Sequence, residues 1–194
     1  EIERTRCELE ETLQSNLEEL ERLRAIVNDM LFLARADRGE TADGLAQASL
    51  AAEVHKTIEF LEPLIEEKSL AVTTLGDAVA SVDRALFRRA MSNLLHNAIQ
   101  HSAPGSRLEI ALREQEDGIE VAVSNPGALI PGEHLARLFD RFYRADPSRA
   151  FSQDSHGLGL AIVKAIAKMH GGTVFARSSG GINTIGLTLE GAPA

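Results

Sequence analysis

An apolar stripe runs along the first 36 residues, and it restricts the fold more than any other feature of the chain. Leu13, Leu20, Val27 and Ala34 recur every seven residues, and Leu9, Leu23 and Met30 form a second such series in which Asn16 takes one place. Leu17 and Leu31 widen the stripe, while Glu18, Glu19, Glu21, Arg22 and Arg24 occupy the other faces. This period predicts one long helix whose stripe needs cover. Two covers are open: a partner helix in a bundle or dimer, or the globular part of the same chain.

Residues 37–47 lose the periodicity and read as a linker. An α/β pattern follows. Helices are predicted over 51–68, interrupted by Pro63, over 84–102 with Asp83 as N-cap, over a short stretch at 133–139, and over 159–170, stopped by Gly171 and Gly172. Strands are predicted over 70–75, 78–82, 108–113, 119–124, 173–178 and 184–189, with Glu116, Asp117 and Gly118 as a hairpin turn. Helices interleaved with hairpin-joined strands argue for an α+β fold, a two-layer α/β sandwich with helices on one face of a mixed sheet. The domain reading is therefore 1–38 helical, 39–48 linker and 49–194 sandwich.

The net charge of −9 gives no basic face for nucleic acid. An anionic ligand would then need a local positive site. No apolar run approaches the roughly 20 residues of a spanning helix, so no direct membrane contact is expected. The single cysteine, Cys7, excludes an intrachain disulfide and suits a reducing cytoplasm. The histidines are scattered, which gives no metal-ligand spacing.

Four segments carry candidate chemistry. In the helix predicted over 84–102, Asn93, Asn97 and His101 fall at i, i+4 and i+8 on one face, between apolar Met91, Leu94, Leu95 and Ala98. Such a polar stripe is either a solvated helix edge or the wall of a cavity holding a hard cation and phosphates, for which Asn carbonyl oxygens suit Mg²⁺. Gly157 and Gly159 open the next long helix, whose free N–H groups could meet phosphate. They also read as a plain glycine-rich cap, since the Walker ending is absent. Asn125, Pro126 and Gly127 end a strand, either to meet a base edge or as an ordinary turn. Phe139, Phe142 and Tyr143 cluster with Arg141, Arg144 and Arg149, as a mobile lid or a surface loop.

Taken in order, these segments resemble the N, G1, F and G2 boxes of the GHKL superfamily, in its histidine kinase branch, over about residues 49–189. The turn Gly180-Gly-Ile-Asn-Thr184 resembles the third glycine box less strictly. The resemblance implies a Bergerat-type sandwich that binds ATP with Mg²⁺. It makes Asn97 the metal-ligating Asn and counts both Asn97 and Asn93, one turn earlier, as catalytic. It places Gln100 and His101 at the phosphates, and Gly157, Leu158, Gly159 and Leu160 in the phosphate cradle. Arg144 and Arg149 fall in the lid, and Asn125, Gly127 and Thr184 fall on the base side. Residues 15–37 look like the second dimerisation helix of that family. The chain is thus expected to be the catalytic part of a cytoplasmic region of an inner-membrane sensor kinase. The family passes the γ-phosphoryl group to a histidine and then to a response-regulator aspartate, and the intact kinase is a homodimer through its helical region.

Two departures stand out. The family's adenine-binding Asp is Asn125 here; its carbonyl still accepts a hydrogen bond, without charge assistance. This Asn-Pro-Gly turn, with the run from Phe139 to Arg149, is similar to the heavy-metal (copper/silver-type) sensor kinases. In addition, none of His55, His96, His101, His134, His156 or His170 is followed by the family's Glu-x-Arg-Thr-Pro. The phosphoacceptor is expected upstream of Glu1, and this chain alone is not expected to autophosphorylate. Two other functions are weighed. A hydrolytic GHKL ATPase would carry a water-activating Glu where Asn93 stands, and Asn is a poor base. A non-catalytic dimerising module would keep the stripe with a degenerate pocket.

Overall fold

A computed structural model of the chain describes residues 2–144 and 156–190, with side chains from residue 11 on. The elements run α1 (Ile2–Asp37), β1 (Ala46–Ser49), α2 (Leu50–Glu67), β2 (Ala71–Leu75), β3 (Val79–Val82), α3 (Arg84–His101), β4 (Arg107–Gln115), β5 (Gly118–Pro126), α4 (Gly132–Leu135), α5 (Gly159–Met169), β6 (Val174–Ser179) and β7 (Ile182–Glu190). Five strands form one sheet in the order β2-β4-β5-β7-β6. Only the β2–β4 pair is parallel, and the rest are antiparallel. Helices α2, α3 and α5 pack on one face of it, over Leu108, Ile110, Val121, Val123, Ile185 and Leu187. The expected two-layer sandwich with a mixed sheet is what forms.

Three predicted details change. Ala46–Ser49, across the end of the expected linker, is a strand, paired antiparallel with β3 in a separate two-stranded sheet. The linker proper is therefore shorter. The second change is in the short helix expected over 133–139, which ends at Leu135. Beyond it the chain continues in tight turns, with Arg137 donating to the His134 carbonyl and Asp140 to that of Arg137. Third, Pro63 sits inside α2 without ending it.

Side-chain caps fix where the helices begin. Ser49 caps α2 by accepting from the Ala52 N–H, and Asp77 accepts from the Ala51 and Ala78 N–H groups and from Ser49. The Ala51 N–H above all holds the Asp77 carboxyl below its usual range, against the opposing effect of burial, with Ser49 and Ala78 adding to it. Asp83 caps α3 through the Ala85 and Leu86 N–H groups. His170, buried at the end of α5, bonds the Ile166 carbonyl through Nδ1 and accepts the Asp83 N–H at Nε2, tying α5 to the start of α3. On α2 the buried Glu53 carboxylate is held by Lys56 at 2.9 Å and Arg88 at 2.7 Å. The Lys56 hydrogen bond, the largest influence, and that of Arg88 bring its pKa below the ordinary value despite burial.

The last turns of α1 lie against the sandwich beside α5. Leu33 and Ala36 are buried there. Arg89 of α3 pairs with Asp29 at 2.5 Å and lies over the Phe32 ring, and Arg141 pairs with Asp37 at 2.7 Å. The predicted stripe is on another face: Leu13, Leu17, Leu20, Leu23, Val27, Met30 and Leu31 are all exposed.

Candidate functional site

The apolar side of α3 is consumed by the core, which leaves its polar stripe at the edge of the helix layer. Asn93 and Asn97 are half-buried on that stripe, and His101 is exposed at its end. The Asn93 amide donates to the Arg89 carbonyl at 2.8 Å, so its Oδ1 points away from its own helix. It points at Gly159: a Cβ there would lie 2.7 Å from Asn93 Oδ1. The polar face of α3 and the start of α5 therefore meet through a glycine, where any side chain would collide with Asn93.

That start of α5 has no side-chain cap at Leu158. A helix N-terminus left in this state presents its first N–H groups and the positive end of its dipole. Gly157, just before it, has φ +69°, and a Cβ there would meet the Phe142 backbone at 2.9 Å. Phe142 in turn donates its N–H to the Gly157 carbonyl and itself adopts φ +59°. The glycine loop is thus clamped to the aromatic-arginine segment, where Tyr143 bonds His134 and stacks with Arg137. Arg144 closes this described stretch, whereas Arg149 lies outside the described residues.

At the other end of α3, Lys68 donates to the carbonyls of Ile99 and Gln100 at 2.8 and 3.1 Å. It satisfies carbonyls that a helix C-terminus leaves open and fixes the turn that carries Gln100 and His101. Sequence reasoning passed over this lysine, because no pattern links position 68 to position 100. Asn93 also borders an open groove between α2 and α3 of about 470 Å³, which Lys56, Phe60, Arg88 and Arg89 help to line.

The third part of the site is at the sheet end. Asn125 on β5 is 4% exposed, and its Nδ2 donates to the Pro126 carbonyl at 3.0 Å. Gly127 follows, its N–H bonded to the Gly181 carbonyl. The strand register sets Asn125 opposite Asn183, and both share the helix-packed face with Val123 and Ile185. Thr184, expected on this side of the site, pairs instead with Ser124 at 2.8 Å on the opposite face. The structure brings Asn93, Gly157 and Gly159 together and places Asn125 and Gly127 at the sheet end. It does not bring Thr184 to them.

Residues 82–191, more than half of the chain, match the family described as Histidine kinase-, DNA gyrase B-, and HSP90-like ATPase. The chain belongs to that family. Sensor histidine kinase CusS of Escherichia coli is 44% identical over 172 residues, covering 88% of this chain and 36% of the relative. The chain thus spans little over a third of the length of such relatives. Acinetobacter baumannii histidine kinase AdeS has the same fold, with a TM-score of 0.78 and 22% identity over 93% of this chain and 84% of that one. Histidine kinase ThkA in complex with response regulator protein TrrA aligns with a TM-score of 0.68 and 19% identity over 91% of this chain and 49% of that one. The likeness to heavy-metal sensor kinases read from the Asn-Pro-Gly turn and the Phe139 run agrees with these relatives.

Membership makes this an ATP-binding domain, and its residues fit the nucleotide. The uncapped helix N-terminus at Leu158, with Gly159 close against the Asn93 amide, offers free N–H groups of the kind that hold phosphate. Among the described residues no group of three or more His, Cys, Asp and Glu is placed to hold a metal. A hard cation here would depend on amide oxygens and on the oxygens of the nucleotide itself. No helix among the described residues is long and apolar enough to cross a membrane.

Proposed function

We propose that the chain is the ATP-binding catalytic part of a two-component sensor histidine kinase, one that donates the γ-phosphoryl group of ATP to a histidine other than its own six. The observation that carries this reading is the meeting of Asn93 with Gly159. It sets the amide oxygen on the polar face of α3 against the α5 N-terminus, so that a cation on the one and phosphates on the other would share one ligand.

In this reading Asn97 offers its amide oxygen as the protein ligand of Mg²⁺. Bound Mg²⁺ neutralises phosphate charge and aligns the transferred group. The N–H groups from Gly157 to Leu160 hold the phosphate oxygens, and Gln100 and His101 contact them from the end of α3. Arg144 and Arg149 close over the triphosphate from the lid, while Asn125 accepts from the adenine amino group. Asn93 keeps its amide on the Arg89 carbonyl and has no carboxylate with which to activate water. That favours transfer to another acceptor over hydrolysis.

The relay continues to a response-regulator aspartate, consistent with the regulator complex of the structural relative ThkA. The exposed stripe of α1 joins two copies in the intact kinase, of which 1–38 is part of the dimerisation region, 39–48 a connection and 49–194 the catalytic domain. The domain works on the cytoplasmic side of an inner-membrane kinase.

The test is thermal unfolding with and without a non-hydrolysable Mg·ATP analogue. At about 100 times its Kd the ligand stabilises the chain by roughly 2.7 kcal/mol. The shift is expected to require Mg²⁺ and to vanish in Asn97→Ala. A folded wild type that shows no shift at millimolar nucleotide overturns the reading.

A further inference from the structure

The strand ends that carry Asn125 hold a second asparagine that the kinase reading leaves without a task. Asn183 lies opposite Asn125 in the β5–β7 register and opposite Ser178 in the β6–β7 register, so three neighbouring strands bring three polar side chains side by side. Asn183 is 7% exposed, and both ends of its amide are engaged. Its Oδ1 accepts from Ser178 Oγ at 2.5 Å, and its Nδ2 donates to the Ala128 carbonyl at 3.1 Å. Ser178 Oγ accepts in turn from the Ile130 N–H at 2.9 Å. The turn after β5 is therefore tied at two backbone points to one buried amide. Gly127 makes this possible, since a Cβ there would stand 2.6 Å from Asn183 Nδ2.

We infer that Asn183, backed by Ser178, is a positioning residue that fixes the turn after β5 and thereby sets the preference of the site for a purine with an amino group at position 6. This rests on the nucleotide reading above. Asn125 donates its Nδ2 to the Pro126 carbonyl, and among the described residues its Oδ1 accepts no hydrogen bond. Exchanging the two ends of that amide would set oxygen against oxygen, so the turn decides which end the ligand meets. With the Pro126 carbonyl held in place, Asn125 presents an acceptor. An acceptor complements the amino group of adenine and opposes the carbonyl of guanine. If the turn is loosened, the Asn125 amide can rotate and the discrimination falls.

The experiment measures equilibrium binding of Mg·ATP, Mg·GTP and Mg·tripolyphosphate to the 194-residue chain, its Asn183→Ala, Ser178→Ala and Ser178→Thr variants. Wild type is expected to prefer ATP to GTP. Asn183→Ala is expected to bind ATP about tenfold more weakly, a loss of the size of one or two hydrogen bonds. Its affinities for GTP and tripolyphosphate should stay within about twofold, so the ATP-to-GTP ratio collapses. Ser178→Ala should show a smaller loss in the same direction, and Ser178→Thr, which keeps the hydroxyl, should restore wild-type binding. Equal loss for all three ligands, an unchanged ratio in Asn183→Ala, or a wild type indifferent to the base overturns the inference while the nucleotide site stands. A folded wild type that binds none of the three overturns the nucleotide reading itself. Should Asn183→Ala fail to fold, the Ser178 pair decides, and identical ratios in Ser178→Ala and wild type count against the inference.

Discussion

Helix α3 buries seven of its 18 residues, from Phe87 to Ile99. Helix α1 is twice as long, yet among its described side chains only Leu33 and Ala36 are buried. Both helices are amphipathic, but their periods differ. In α3 the buried apolar residues fall at 87, 90, 91, 94, 95, 98 and 99, the broad face of a helix that lies on a sheet. In α1 the apolar residues recur at sevens, a seam that suits another helix. The structure follows that division: the α3 face meets the sheet, and the α1 seam faces solvent. What α1 gives to the sandwich comes from a different set of positions, 26, 29, 32, 33, 36 and 37, where Leu33 enters the core and two arginines of the sandwich take Asp29 and Asp37. The period of a stripe thus tells where its partner lies, and it missed the contact of α1 because that contact uses other residues.

The largest effect belongs to α3. Leu94 is 1% exposed amid the core, and Leu94→Ala should cost about 2–5 kcal/mol, read from chemical denaturation of the whole sandwich. Leu33→Ala removes a side chain just as buried, at 2% exposure. It should cost less, about 2 kcal/mol, because α1 can lift away while the sandwich stays folded. Hydrogen exchange should then rise in the last turns of α1 and not in α3. If Leu33→Ala proves as costly as Leu94→Ala and loosens both helices together, α1 is an integral part of the core and the contrast fails.

Much of this was legible in the sequence because it is local. The helix and strand order, the Asp83 cap and the polar stripe of α3 each follow from spacing within a few residues. Strand β1 was not legible: Ala46-Gln-Ala-Ser49 has no β-branched or aromatic residue, and it is a strand only because β3 pairs with it. The arginine pairs on α1 join positions 60 and 104 residues apart, which no local pattern connects. Asn183 is a different case. Its parity with Ile185, Leu187 and Leu189 places it on the buried face by the period-2 rule, and Thr184 on the other. The glycine-box resemblance drew attention to Thr184, one residue away, although the alternation already pointed to Asn183.

A medium effect tests the joint between α2 and α3, next to the docked end of α1. Glu53 reaches Lys56 and Arg88 from a buried position on α2, and Arg88 is the immediate neighbour of the Arg89 that holds α1. Because its pKa is lowered in the folded chain, Glu53 contributes stability that is present above its unfolded value near 4.5. That stability is lost as the pH falls through the lower folded value. Glu53→Gln should cost about 1 kcal/mol near neutral pH, and the cost should shrink as the pH drops below about 4.5. Denaturation curves collected across that range for both proteins check it; a cost that does not change with pH would mean the carboxylate charge adds nothing.

The smallest effect is expected on the exposed seam. Leu20 is 63% exposed on α1 and touches none of the core, so its removal from water on folding is slight. Leu20→Glu should change the stability of the dilute chain by no more than about 0.5 kcal/mol. The same substitution puts a charge where a facing helix would place apolar side chains, so it should abolish any concentration-dependent association detected by sedimentation. The two readouts separate the roles of the seam and the docking face. A loss above 2 kcal/mol in dilute solution would mean that the seam folds back on its own sandwich. Unchanged stability with lost association would mean that it is reserved for a second helix.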